Sequence, residues 1–366
     1  MRNIIFIIII FLLFSCDKGV EILSPEKLND GINVSTTNQH NIDSVLIANL
    51  NNDIANGEFG NIHSFLVMID NELIVEQYYR SGSRDKIHFI MSVTKAFTSL
   101  LTGIAIEKGY IDSVDQYMLD FFPAYKSKEK DSRKHQITIE HLLTMTSGFD
   151  WDETTYPIDD HRNSGYEIER SENWLISSLD LKMDTIPGTK YVYCGSNCVI
   201  LSEIIRATSK KDIADFAEKY LFKPLGIKEY KWYKKNGIFE AGGGLYITSR
   251  DMLKFGHLHL NKGIFNGNRI VSCNWIDQTF SPYIETDKPG FHSGYYWDIL
   301  RSEDGLLVYF RGGRGGQAIS IIPDLNMIIV ITADNRKKPQ SLAPLMERIT
   351  RIHQDYKLKT NNSIKL

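Results

Sequence analysis

Met91-Ser92-Val93-Thr94-Lys95-Ala96-Phe97 is the stretch from which the rest of the chain is read. A serine is followed three residues later by a lysine, and a helix-forming run continues toward Lys108-Gly109, where glycine marks a stop. Residues three apart on a helix share a face, so the hydroxyl and the ammonium can meet. A serine in the first helical turn also lies among free backbone N–H groups and the positive end of the helix dipole, which favour a developing anion. That suits a serine nucleophile with lysine as proton acceptor. Ser-x-x-Lys is also short enough to arise by chance and fits an N-capped surface helix, so the other segments decide.

The chain has 366 residues, 42% hydrophobic and 24% charged, with a net charge of -3. This is globular composition, long enough for a sizeable core in two lobes. It offers no basic surface of the kind nucleic acid requires, so no nucleic-acid partner is expected. At the start, Arg2 precedes an apolar run over 4–14 that is too short to span a membrane. It ends in Leu13-Phe14-Ser15-Cys16. The pattern resembles a bacterial lipoprotein signal, which implies removal of 1–15, a lipid on Cys16 and a place in the cell envelope, periplasmic or surface-facing. Cys194, Cys198 and Cys273 remain, an odd number and no disulfide framework. No cluster has metal-ligand spacing, so neither metal nor cofactor is expected.

Residues 16–41 are polar without periodicity and read as a tether. Residues 42–55 carry apolar side chains at helical spacing. Segments 63–70 and 73–79 are β-prone and flank Asp70-Asn71, a hairpin pattern. From about 112 to 239 the chain reads as helices (137–145, 199–207, 211–222) separated by polar loops. After Ala241-Gly242-Gly243-Gly244, Thr248-Ser249-Arg250-Asp251 opens another helix. Strands return over 305–310, 318–322 and 327–333, with turns at 311–316 and 323–326, then a helix over 340–353 and a tail over 358–366. The expected fold is α/β: an antiparallel sheet flanked by helices, built from both chain ends (about 42–111 and 240–357), with an all-helical lobe (about 112–239) inserted. A cleft between lobes is the expected site.

Four further stretches join the first: Ile139-Glu140-His141-Leu142-Leu143-Thr144-Met145-Thr146-Ser147-Gly148-Phe149, Pro187-Gly188-Thr189-Lys190-Tyr191-Val192-Tyr193-Cys194, Ala241-Gly242-Gly243-Gly244-Leu245-Tyr246-Ile247-Thr248-Ser249-Arg250-Asp251-Met252, and Arg311-Gly312-Gly313-Arg314-Gly315-Gly316-Gln317. In order and context they resemble the serine β-lactamase-like superfamily, in particular its class C β-lactamase, D,D-peptidase, esterase and 6-aminohexanoate-dimer hydrolase branches, over roughly 60–335. The resemblance implies a β-lactamase-like fold and an acyl-enzyme on Ser92, with Lys95 and Tyr193 as general base and acid. It also implies an oxyanion hole from the backbone N–H groups of Ser92 and Gln317. Lysine and tyrosine at such proximity titrate as a coupled pair.

Two departures stand out. The residue two after Tyr193 is Gly195, where the family usually has asparagine; Asn197 is the candidate replacement for that amide. The third triplet is read as Arg314-Gly315-Gly316, whose arginine suits a substrate carboxylate. Trp151 is the first candidate for the cleft wall, followed by His161, Trp174 and Tyr295-Tyr296-Trp297. The expectation is a monomeric, lipid-anchored serine hydrolase acting on a small-molecule ester or amide, or on a peptidoglycan-like peptide. The second reading is a penicillin- or peptidoglycan-binding protein that acylates and turns over slowly.

Overall fold

The computed structural model describes residues 24–40 and 42–363; the expected signal segment and Cys16 lie outside the described residues. A nine-stranded sheet carries the α/β lobe. In chain order its strands are β1 (Asn33–Val34), β2 (Ile62–Ile69), β3 (Glu72–Tyr78), β4 (Ile284–Glu285), β5 (His292–Ser293), β6 (Asp298–Arg301), β7 (Leu307–Gly313), β8 (Gln317–Ile322) and β9 (Met327–Ala333). Their spatial order is β1-β3-β2-β9-β8-β7-β6-β5-β4. The two ends of the chain meet where β2 pairs antiparallel with β9, from Ile69 opposite Met327 to Ile62 opposite Ala333.

The pairing comes from local chemistry. Asp70 and Asn71 adopt φ of 49° and 65°, the tight turn whose twist suits a two-residue hairpin. Alternate residues then go to opposite faces. Leu66, Met68, Ile319, Ile321, Ile328 and Val330 join a core with Phe97 and Phe255. Phe65, Val67, Ile69, Ala318, Ile329 and Ile331 pack on the other face with Ile47, Leu50, Ile54, Leu345, Ile349 and Ile352. Both faces are covered, which is why β2 and β9 read as nearly unbroken apolar runs. Each large apolar side chain so buried contributes roughly 1.5–3 kcal/mol.

Five helices cover the sheet or frame the site: α1 (Ser44–Asn56), α2 (Thr94–Glu107), α3 (Ser196–Ser209), α4 (Ser249–Leu260) and α5 (Ala343–Ser363). Asp43 caps α1 by accepting from the N–H of Val45, and Thr248 caps α4 by accepting from that of Asp251. Helices α2 and α4 lie on the first sheet face, α1 and α5 on the second.

Four expectations are corrected. The tether ends earlier in the chain than residue 41. Asn33–Val34 adds to β3 as a parallel strand, Ile32 is buried, and Asp30 pairs with Arg250 at 2.9 Å. The docking uses ion pairs and two backbone rungs, which leave no apolar period to read. The middle lobe is not all helical: Lys234–Lys235 pairs with Ile238–Phe239. Lys231–Trp232 and His88–Phe89 also flank Leu245–Ile247 in a small sheet between the lobes. Strand β7 continues through Arg311 to Gly313, so the turn is confined to 314–316. The last helix runs on to Ser363, over most of the expected tail.

Candidate active site

Ser92 is presented by a strained turn. Met91 has φ of 51°, uncommon for a residue with a side chain, and Met91–Val93 forms a 3₁₀ turn that runs into α2. Strain of this kind persists where the surroundings impose it. Here the N–H of Ile90 donates to Leu245 O at 3.0 Å. The Thr94 hydroxyl donates to Met91 O at 2.7 Å and accepts from the N–H of Leu245 at 3.2 Å. One turn later the Thr98 hydroxyl donates to Ala241 O at 2.7 Å. The Ala241-Gly242-Gly243-Gly244-Leu245 stretch is thus the clamp on the start of α2.

Lys95 is buried, with 3% exposure. Its ammonium donates to Ser92 Oγ at 3.2 Å and to Gly242 O at 2.9 Å. It lies 4.8 Å from the centre of the Tyr193 ring and 4.0 Å from Glu153 Oε1. Burial works to lower the lysine, but attraction by Tyr193, then by Glu153 and Cys198, outweighs it and holds Lys95 above the ordinary lysine range. At neutral pH Lys95 is therefore an ammonium that donates to the serine oxygen.

Tyr193 reaches the site from the loop before α3. That loop is hung on the His141-to-Phe149 stretch: Val192 N–H donates to Met145 O, Gly188 N–H to Thr146 O and Asp184 N–H to Gly148 O, each at 2.8 Å. The motif residues of that stretch are scaffold for Tyr193.

Sequence reasoning missed two residues. Arg311, buried on β7, donates from Nη2 to Tyr193 Oη at 2.8 Å, from Nε to Ser92 O at 2.9 Å and from Nη1 to Tyr296 O at 3.1 Å. Strand β7 comes so close here that a Cβ on Gly313 would meet Ile90 O at 2.6 Å. The triplet beside the nucleophile is therefore Arg311-Gly312-Gly313, three residues before the one expected. Arg314 is exposed, and it lies with Gly315 and Gly316 in the turn after β7. The repeated Arg-Gly-Gly makes both registers equally readable in one dimension. The second is Glu153, whose carboxylate accepts from the Gly195 N–H at 2.8 Å and from Trp151 Nε1 at 2.9 Å. A lone charge in a polar loop gave no signal of its own.

The remaining candidates divide between the site and the core. Trp151 stays at the site through Glu153. Asn197 is fully buried in α3 and donates to Leu142 O at 3.3 Å, so it packs against the scaffold rather than supplying an amide to the cleft. Gln317 lies on β8 opposite Gly313, with its side chain donating to Ala333 O at 2.6 Å. His161 is exposed; Trp174 packs with Val199 and Ile238. Tyr295, Tyr296 and Trp297 are core, and of these Tyr296 reaches the site through its carbonyl. Cys194 and Cys198 are buried free thiols, Cys273 an exposed one. Among the described residues no group of three His, Cys, Asp or Glu side chains is arranged to hold a metal.

A family model described as Beta-lactamase matches residues 63–353. The chain belongs to the Beta-lactamase family. It is 24% identical to 6-aminohexanoate-dimer hydrolase of Paenarthrobacter ureafaciens over 60% of this chain and 57% of that protein, so it spans little more than half of that relative's length. It is 22% identical to the D-alanyl-D-alanine-carboxypeptidase/endopeptidase AmpH of Escherichia coli (strain K12), over 73% of this chain and 78% of that one. Among solved structures, a putative 6-aminohexanoate-dimer hydrolase from Bacillus anthracis superposes with a TM-score of 0.66 at 21% identity, covering 83% of this chain and 80% of the other. That likeness shows the β-lactamase-like fold.

Proposed function

We propose that this Beta-lactamase-family chain is a serine hydrolase that cleaves an ester or amide through an acyl-Ser92 intermediate. The observation that carries the reading is the Lys95 ammonium, 3.2 Å from Ser92 Oγ and 4.8 Å from the Tyr193 ring, with Arg311 2.8 Å from Tyr193 Oη on the other side. In the first half-reaction Ser92 Oγ bonds to the substrate carbonyl carbon, and the Ser92 proton passes to the Lys95–Tyr193 pair in its reactive state, which holds one proton fewer than an ammonium beside a phenol and accepts as a unit. The carbonyl C–O or C–N bond then breaks, and the leaving group departs with that proton. Water reverses the sequence in the second half and releases the acid. Negative charge on the carbonyl oxygen is met by the Ser92 N–H and, in place of the expected N–H of Gln317, which lies across on β8, by a backbone N–H at the end of β7, where Gly313 comes against the nucleophile turn. Each such donor is typically worth about 2.7–4 kcal/mol.

The relatives' names point to amides and peptides, and esters present the same carbonyl with a better leaving group. Lipidation at Cys16 would hold the enzyme at the envelope membrane. The test is intact-protein mass after a fluorophosphonate probe on the full chain, comparing wild type with Ser92→Ala and Tyr193→Phe. One adduct on wild type, absent from Ser92→Ala and slower in Tyr193→Phe, is expected. No adduct on folded wild type would refute the reading. With labelling established, an acyl-Ser92 mass adduct from a 4-nitrophenyl ester or a β-lactam that persists for hours would move the protein to the slowly deacylating, peptidoglycan-binding reading.

A further inference from the structure

Gly195 stands where the second motif usually carries asparagine, and the structure supplies a reason. A Cβ at Gly195 would meet Glu153 Oε2 at 2.7 Å, with the rest of that carboxylate group 3.6 Å away. The space a side chain would take at 195 is occupied, from a neighbouring loop, by a carboxylate. It is held from two sides, by the Gly195 N–H at 2.8 Å and Trp151 Nε1 at 2.9 Å, and its other oxygen is 4.0 Å from Lys95 Nζ. Its side chain keeps 18% exposure, so it is part of the cleft surface.

The charges around it are arranged in one sense. The cations of the site face inward: Lys95 donates to Ser92 Oγ and Gly242 O, and Arg311 donates to Ser92 O, Tyr296 O and Tyr193 Oη. Arg314, the arginine expected to meet a carboxylate, is out in the turn and exposed. A second carboxylate, Glu240, accepts at 3.1 Å from the N–H of Gly242, the residue whose carbonyl accepts from Lys95. Among Lys95, Arg311 and Glu153, the Glu153 carboxylate is the one that keeps exposure, while Lys95 and Arg311 are buried and committed to partners within the protein.

We propose that Glu153 is a specificity-determining residue, which replaces the amide of the second motif with a fixed carboxylate and thereby selects uncharged acyl groups against acyl groups that carry a carboxylate. The inference rests on the serine-hydrolase reading and narrows its substrate class. Like charges a few ångströms apart in a partly desolvated cleft repel strongly enough to decide between two otherwise equal substrates. Esters and amides whose own acyl chain ends in a carboxylate belong to the rejected class; those with neutral acyl chains belong to the accepted one.

The experiment compares 4-nitrophenyl hexanoate with mono-4-nitrophenyl adipate, esters of equal acyl length that differ by one terminal carboxylate. It uses the full chain and subtracts spontaneous hydrolysis. Wild type is expected to prefer the hexanoate in kcat/KM. Glu153→Gln is expected to raise the adipate-to-hexanoate ratio about tenfold, and added salt to raise it in wild type but hardly in Glu153→Gln. A merely structural role would lower both rates together and leave the ratio alone. An unchanged ratio in folded Glu153→Gln overturns the proposal. Should that variant not fold, Glu153→Asp keeps the charge: a preserved ratio supports charge selection, and a raised one overturns it. Fluorophosphonate labelling of Ser92 separates the two claims, because a labelled enzyme with an unchanged ratio fails only the role of Glu153. An unlabelled wild type fails the hydrolase reading itself.

Discussion

Replacing Arg311 tests both the register of the third motif and the electrostatics of the site. Arg311→Met keeps much of the volume and removes three donors, at 2.8, 2.9 and 3.1 Å from Tyr193 Oη, Ser92 O and Tyr296 O. A hydrogen bond from a charged donor is worth about 1.5–3 kcal/mol. If only the bond to Tyr193 matters for the transition state, about 1.36 kcal/mol per factor of ten makes the loss roughly 10- to 150-fold in acylation rate. The fold should survive. Burial pushes the Asp298 carboxyl up and Arg311 pulls it down, so without the guanidinium Asp298 is more easily protonated and is not left as a bare charge. Arg311→Lys keeps the charge but cannot span three acceptors, and should fall between. Arg314→Ala, in the exposed turn, should stay within about twofold of wild type. The assay is the second-order rate of fluorophosphonate labelling at Ser92, read by intact mass, with thermal unfolding as the check on folding. A large loss in Arg314→Ala with a small one in Arg311→Met would refute the assignment of Arg311-Gly312-Gly313 to the site.

Three further outcomes are expected. Gly313→Ala should slow Ser92 labelling, because its Cβ would meet Ile90 O at 2.6 Å and push β7 off the nucleophile turn; a labelling rate equal to wild type would contradict the close approach. Gly195→Ala should lower stability by about 1–3 kcal/mol through overpacking against Glu153, and Glu153→Ala in the same chain should restore most of it; denaturant unfolding of the double-mutant cycle decides, additive losses counting against the contact. Glu76 is buried on β3, where burial pushes its carboxyl up but bonds from Arg250 and Tyr78 more than reverse this and hold it below the ordinary range. A depressed folded value gives stability that is present above the unfolded carboxylate range and lost as pH falls through the folded one. Wild type should therefore lose melting temperature below about pH 4.5, and Glu76→Gln should show less of that acid loss, although Glu76→Ala is expected to cost about 3–5 kcal/mol near neutral pH by leaving Arg250 short of its buried partner. Parallel melting curves of wild type and Glu76→Gln from neutral to acid pH would count against this role for Glu76.

Much of the molecule is written in short-range patterns. The Asp70-Asn71 turn, the apolar runs of β2 and β9, the N-caps at Asp43 and Thr248 and the spacing of Ser92 and Lys95 each depend on residues a few positions apart, and backbone sterics and periodicity make them readable one stretch at a time. The order of five motifs sufficed to point to the family and to bring Ser92, Lys95 and Tyr193 into one site. Long-range contacts decided the rest. Nothing local separates Arg311 from Arg314, because both precede Gly-Gly; which one is buried depends on where β7 stops pairing with its neighbours, and hence on the sheet as a whole. Asp30 looks like part of a solvated leader until Arg250, 220 positions away, is brought beside it. Gly195 reads as a missing amide until the tertiary fold lays Glu153 against it. A side chain's type sets what it can do, but its burial and partners, which set its charge and direction, are properties of the packed chain.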